Sequence, residues 1–357
     1  MSKVDELVKS LKGRVSIHVI QKLMRAVKLP TARSWTELEA IIVSACAKDP
    51  TVTERLLQAL LVQTVGDFKA VSFFSIDSDN IPGIQNALVT AKVDSSPLVD
   101  AFPLACPASD LENDDGKHKL VATFSDQFGV GVVLSRKRVF TLREEYDRDR
   151  FTDAMRQQFP SHDKIIALKN YVRQTFDVVY LNLERGVLEL RSDITRSDEL
   201  FQTVQQLDVT NRELKGFASV FLYNALRKQV FDSPHNLFPV IKRVYEDPSG
   251  AIKKLGFSTA TNSVKNETMR GGVDLRSELF HKYGAQAINH QMSLFEIAIV
   301  WHRKDIDGFD SKPELHIPGT YKESASISPR SDFAIVKGVR DSSDSDFILG
   351  KLLSFEK

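Results

Sequence analysis

Apolar residues recur at helical spacing through the first seventy positions. Val4, Leu7, Val8 and Leu11 make one stripe, which Gly13 interrupts. Ile17, Ile20, Leu23, Met24 and Val27 make a second, opened by Ser16 and stopped by Pro30. Ser34-Trp35-Thr36-Glu37 has the form of a capping box: the serine oxygen can take an orphan N–H while the glutamate reaches back. Trp35, Leu38, Ile42 and Ala45 then share a face. Thr51-Val52-Thr53-Glu54 repeats the start signal after Pro50, and Leu57, Leu60 and Leu61 follow. The pattern predicts four short helices, a helical module over residues 1–68.

Beyond it the period changes. Residues 68–76 (FKAVSFFSI) read as a strand, as do 119–124 and 129–134, paired with one another and followed by 138–142. Between 77 and 117 the chain is acidic and turn-rich, with four prolines and the run Asp110-Leu111-Glu112-Asn113-Asp114-Asp115-Gly116, which reads as a solvated loop. Ile165, Leu168 and Val172 mark a helix by spacing. Residues 176–183 and 187–191 form the clearest hairpin, turning at Glu184-Arg185-Gly186. A helical stretch over 197–231 carries two stripes, Leu200, Val204 and Leu207, then Leu214, Phe217, Phe221 and Ala225, with a break expected near Asn211. Strands are expected again at 251–259, 293–302, 331–339 and 347–353. Helices and strands come in blocks, so the class expected is α+β: an N-terminal helical bundle, then a mixed, mainly antiparallel sheet body with packed helices. The divisions expected are 1–68, an α+β domain over 69–232 and a β-rich domain over 233–357.

The 357 residues exceed what one core usually organises, and a hydrophobic fraction of 42% excludes a mainly disordered chain. With only Cys46 and Cys106, no disulfide framework or cysteine zinc cluster is available. The first residues lack the uninterrupted apolar core of a secretory signal, and the most apolar runs are strand-sized, far below the ~20 residues that span a bilayer. The expectation is a soluble cytoplasmic protein without a membrane partner.

Charge is nearly balanced overall, 48 Lys+Arg against 47 Asp+Glu, yet segregated along the chain. Residues 1–33 hold eight basic residues against Asp5 and Glu6, whereas 71–130 hold three lysines against nine acids. On the second helix Lys22, Arg25 and Lys28, with Arg33 beyond it, form a basic ridge that could neutralise phosphates; the plainer alternative is a solvated helix face. A helix–turn–helix over 15–28 and 35–46 is compatible with the pattern, although the connection through Pro30 is long for that motif. Arg136, Lys137 and Arg138, with Arg143, make a second basic cluster, read either as a phosphate-contacting hairpin or as an edge strand guarded by charge.

The densest polar stretch, 265–282, offers Lys265, Arg270, Arg276 and His281 beside the pair Gly271-Gly272 as an anion pocket, with a salt-bridged network as the plainer reading. Whether 273–282 is strand or helix stays open, and its chemistry depends on the answer. No nucleotide-loop, dinucleotide, nucleophile-elbow, zincin or kinase motif is present, and no cofactor or metal is implied. Glu184, Glu189 and Arg191 are faintly similar to the acid-rich sheet of metal-dependent nucleases, without the lysine expected after Glu189. The eight histidines include no close pair.

The order of a small helical module and then strands, through Leu56-Leu57 to Lys69 and the strand pair over 132–141, resembles centromere protein N, a chromatin-binding family. The resemblance covers less than half the chain, rests on apolar pattern and implies no site residues. Taken together, the expectation is a non-enzymatic binding protein that contacts nucleic acid or an acidic partner through basic patches. A metal-dependent phosphodiesterase and a protein–protein adaptor or homo-oligomer are the alternatives.

Overall fold

The computed structural model describes residues 3–194, 203–304 and 310–356. The N-terminal module comprises α1 (Lys3–Arg14), α2 (Ile17–Ala26), α3 (Trp35–Lys48) and α4 (Pro50–Gly66). Two of the expected serine caps form, although at Ser34 only the serine half of the expected capping box is present. Ser16 accepts from the Val19 amide, and Ser34 accepts from Glu37 at 3.3 Å. The α4 start differs: its cap is Asp49, whose carboxylate takes the Thr51 amide at 2.9 Å, with Pro50 in the first turn, where its missing N–H is harmless. Gly13 does not stop α1, which continues over it. Leu7, Leu11, Ile20, Met24, Leu38, Ile42, Leu56 and Leu60 are fully buried between the four helices, a core of their own.

The chain then enters β1 (Lys69–Ser75), followed by α5 (Ile81–Val89), α6 (Pro97–Ala101) and α7 (Ala108–Glu112), so the acidic, turn-rich stretch 77–117 holds three helices, and α7 takes in the start of the run 110–116 expected as a solvated loop. Next come β2 (Lys119–Ser125), β3 (Gly129–Asp147), α8 (Asp153–Gln158), β4 (Lys164–Asn182) and β5 (Val187–Asp193). Gly186, at φ 61°, closes the β4–β5 turn in the left-handed region that favours glycine. β4 overturns the helix expected from Ile165, Leu168 and Val172: residues 164–182 pair with β3 along its whole length. β2 reaches only to Ser135 and β5 only to Val178, so the outer halves of β3 and β4 form a two-stranded arm beyond the sheet.

α9 (Val204–Leu226) runs straight through Asn211, where a break was expected; of the first stripe, Leu200 lies outside the described residues. The remainder is α10 (Val240–Glu246), β6 (Ala251–Thr259), β7 (Val264–Thr268), α11 (Leu279–Ala287), β8 (Met292–Val300), β9 (Arg303–Lys304), β10 (Asp310–Ser311), β11 (Glu314–Ile317), α12 (Tyr321–Ser324), β12 (Ala334–Lys337) and α13 (Ser342–Glu356). The strand expected at 347–353 is helical because Ile348, Leu349 and Leu352, at i, i+1 and i+4, must bury on one side.

The principal sheet has ten strands in the order β2-β3-β4-β5-β1-β12-β11-β8-β6-β7, every described pairing antiparallel, which makes the fold α+β. β1 sits between β5 and β12, so one continuous sheet spans both expected divisions 69–232 and 233–357. Alternation assigns its faces. Phe74, Leu188, Leu190, Val132 and Leu134 pack with α5 and α9. Their neighbours Val71, Phe73 and Val187 pack under α10 and α13, and Val133 packs near α6 and α7. Because both faces are covered, β1 reads as a nearly unbroken buried run rather than an alternating one.

Candidate functional site

The C-terminal end of α1 meets the sheet over buried polar groups. Lys69 opens β1 and is fully buried; its Nζ donates to the Phe176 carbonyl and to Asp193 Oδ1, both at 2.7 Å. The other oxygen of Asp193 accepts from Arg14 at 2.9 Å and from the Phe176 amide at 3.0 Å. The Arg14 guanidinium lies 4.2 Å over the Phe176 ring. Burial alone would raise the Asp193 carboxyl, but Arg14 and Lys69 more than offset it and hold it below the ordinary carboxylate range. These bonds fix how the helical module sits on the sheet.

An open cleft of about 480 Å³ lies at this junction. Lys9, Lys12 and Arg14 of α1 line it from one side, Arg173 of β4 from another, with Asp67 and Asp193 as its acids. Lys9, Lys12 and Arg173 are exposed and hold no ion pair among the described residues. Asp193 is taken up by Arg14 and Lys69, and Asp67 accepts the Val339 amide at 3.1 Å. Cys106 also lines the cleft; burial, then Asp110 and Asp114, raise its thiol pKa, which disfavours the nucleophilic thiolate.

The expected basic ridge divides. Arg25, Lys28 and Arg33 are exposed, without ion pairs among the described residues. Lys22 is half-buried: its Nζ donates to the Asp310 carbonyl at 2.9 Å, and burial and neighbouring Lys312 lower its pKa. The second cluster turns inward. Arg138 grips buried Asp177 at 2.7 and 3.0 Å and also donates to the Asp193 carbonyl. Arg136 reaches Glu213 at 2.6 Å and lies 3.6 Å from Asp177, while His118 completes the set at 2.9 Å. Lys137 donates to the Glu112 carbonyl of the acidic segment. Arg136 and Arg138 are committed to Asp177, which without them would be a buried charge short of its partners.

In the 265–282 stretch, Lys265 and Arg270 are exposed, while the other two cations are committed. Arg276 binds Asp274 and donates to the carbonyls of Tyr245 and Asp247, each at 2.8 Å, as an internal clasp. His281, on α11, is buried between Glu267 at 2.5 Å and the Tyr245 hydroxyl at 2.9 Å. Residues 275–277 form a 3₁₀ turn, which settles the strand-or-helix question as neither over its first half. Glu189 is likewise internal, 3% exposed and bonded to Arg191 at 2.9 Å, with burial raising its pKa. Nothing on that hairpin presents an acid-rich face to a metal. Among the described residues, no group of three or more His, Cys, Asp or Glu could hold a metal ion, and no helix is long and apolar enough to cross a membrane.

Lys9 and Lys12 belong to the basic segment 1–33, but nothing in the sequence singles them out within it beyond their i, i+3 spacing on the polar side of α1. Arg173 gave no signal, because its stretch reads as helix. In sequence comparisons no protein-family model and no curated protein matches this chain, so the functional reading rests on the geometry above.

Proposed function

We propose that this protein binds a polyanion, with nucleic acid as the ligand, through the cleft between α1 and the base of the β3–β4 arm. The observation that carries the reading is the lining of one open concavity by Lys9, Lys12 and Arg173, none with an acid partner among the described residues. Such cations displace condensed counterions from a phosphate backbone, so affinity falls steeply with salt. Exposed Arg25, Lys28 and Arg33 add a second basic surface on the same module. The test is fluorescence anisotropy of labelled duplex DNA and single-stranded RNA over a salt series. Log affinity should fall linearly with log salt, and the triple variant Lys9→Glu, Lys12→Glu, Arg173→Glu should weaken binding at least about tenfold. A flat salt response, or no effect of the triple variant, overturns the reading. Full competition by polyglutamate at equal charge would favour an acidic protein ligand instead.

Protein contact is a second reading, supported by α11, where Leu279, Phe280 and Tyr283 are 66%, 79% and 63% exposed beside β7, the last strand of the sheet. Sedimentation velocity over a concentration series tests self-association there. A single monomer species for both the native chain and Phe280→Asp would remove self-association.

A further inference from the structure

Three side chains from three distant parts of the chain meet at the end of β1, and none of them lines the basic cleft. Ser75, the last residue of β1, is exposed because β12 pairs only with Lys69–Val71 and leaves the end of the strand open. Its Oγ lies 2.8 Å from Nε2 of His235, in the connection between α9 and α10. Nδ1 of His235 lies 2.7 and 2.8 Å from the two carboxylate oxygens of Glu356, in the last turn of α13. The imidazole is held in place by its own backbone, whose N–H donates to the Phe73 carbonyl at 2.8 Å, and by Arg330, which binds the preceding Pro234 carbonyl at 2.7 Å.

The order of contacts sets the chemistry. An ionised carboxylate only accepts, so Nδ1 carries a hydrogen, and in the neutral ring Nε2 turns its lone pair toward the serine hydroxyl. A hydroxyl, a base within hydrogen-bond reach and a third group orienting that base make an activated nucleophile, a constellation recognised by geometry on unrelated folds. We infer that Ser75, His235 and Glu356 form a nucleophilic triad that hydrolyses small carboxylic esters. Ser75 Oγ bonds to the ester carbonyl carbon while its proton passes to His235 Nε2. The alcohol leaves as the carbon–oxygen ester bond breaks, taking that proton. Water then attacks the acyl-serine, gives a proton to His235, and releases the acid as Ser75 recovers its own. Ser75 and His235 touch the reacting atoms; Glu356 is a positioning residue. The exposed setting of Ser75 suits a small acyl group, such as acetyl, presented from solution.

The full chain is treated with a biotinylated fluorophosphonate and mapped by peptide mass spectrometry, and p-nitrophenyl acetate hydrolysis is followed in parallel. One label per chain is expected, on Ser75 rather than the neighbouring Ser72 or Ser78, and heat-denatured protein should take none. His235→Ala should slow ester turnover at least about 100-fold. Glu356→Gln presents an amide to Nδ1 and favours the wrong tautomer, so it should lower turnover similarly with KM and melting temperature unchanged. Labelling on any other residue, or none on the native chain, overturns the proposal and leaves the three residues as a clasp on α13. The native-chain mapping decides this even if a variant fails to fold.

Discussion

Arg14 and Asp193 are 179 residues apart in sequence and 2.9 Å apart in space. The contact joins the last residue of α1 to the last residue of β5, over the Phe176 ring. With the Arg14 side chain only 21% exposed, solvent screens the pair little. Arg14→Ala should therefore cost about 3 kcal/mol in urea unfolding, since it leaves Asp193 with Lys69 alone. Arg14→Lys should recover only part of that, because an ammonium cannot lie flat on Phe176. Equal stability of the native and Ala chains would show the module is held by apolar packing alone.

Asp177 and Asp193 set the acid limit of the fold. Burial pushes the Asp177 carboxyl up, but Arg138, the His118 hydrogen bond and Arg136 more than offset it, and the net pKa lies below the ordinary range. Asp193 is lowered as well. An acid with a depressed folded pKa contributes stability that is fully present above its unfolded value, about 3.9, and lost as pH falls through the folded one. Melting temperature should accordingly fall with pH from about 5 downward. Asp177→Asn should flatten that slope while costing about 3 kcal/mol at neutral pH, where Arg136 and Arg138 lose their counter-charge. A melting temperature independent of pH between 5 and 2 would show that these carboxylates are not held ionised.

The elements legible in the sequence were those whose own residues decide their burial. The module's stripes, the 176–191 hairpin and β6 all follow from local period and turn chemistry. Those misread depend on what lies opposite. Ile165, Leu168 and Val172 fit a helix by spacing, but pairing with the whole of β3 decides the matter, and no local pattern shows that arm. Residues 347–353 form an apolar run too short for period alone to classify. The site was half legible for the same reason. A charge count finds the basic front of the chain, but only the folded partners show that Arg136 and Arg138 serve Asp177 while Lys9, Lys12 and Arg173 remain open.

That division separates binding from stability. Reversing Lys9 and Lys12 should lower the slope of log affinity against log salt by about one for each phosphate no longer neutralised, with the melting temperature unchanged. Arg138→Ala should do the opposite: it removes the closest cation from Asp177, lowers stability by about 3 kcal/mol and leaves the salt slope of the folded fraction intact. Anisotropy titrations and melting curves on the same two variants check both halves. A shared loss of slope would return Arg138 to the binding surface.

Two glycines test the packing in opposite directions. At Gly129, the first residue of β3, an added Cβ would lie 2.0 Å from the Leu181 carbonyl oxygen and 2.9 Å from the Tyr180 hydroxyl. Neither can retreat freely: Leu181 is paired in β4 across from Val130, and Tyr180 donates to Asp126 at 2.7 Å. Gly129→Ala should therefore force the start of the β3–β4 ladder apart and cost about 3 kcal/mol. Gly216, within α9, meets nothing within 4 Å and is exposed. Its replacement by alanine removes backbone freedom from the unfolded chain without a clash, so Gly216→Ala should stabilise by about 1 kcal/mol. Urea midpoints of the two variants, measured against the native chain, should move in opposite directions. If Gly129→Ala leaves the midpoint in place, β3 and β4 do not approach as closely at that end as the ladder requires.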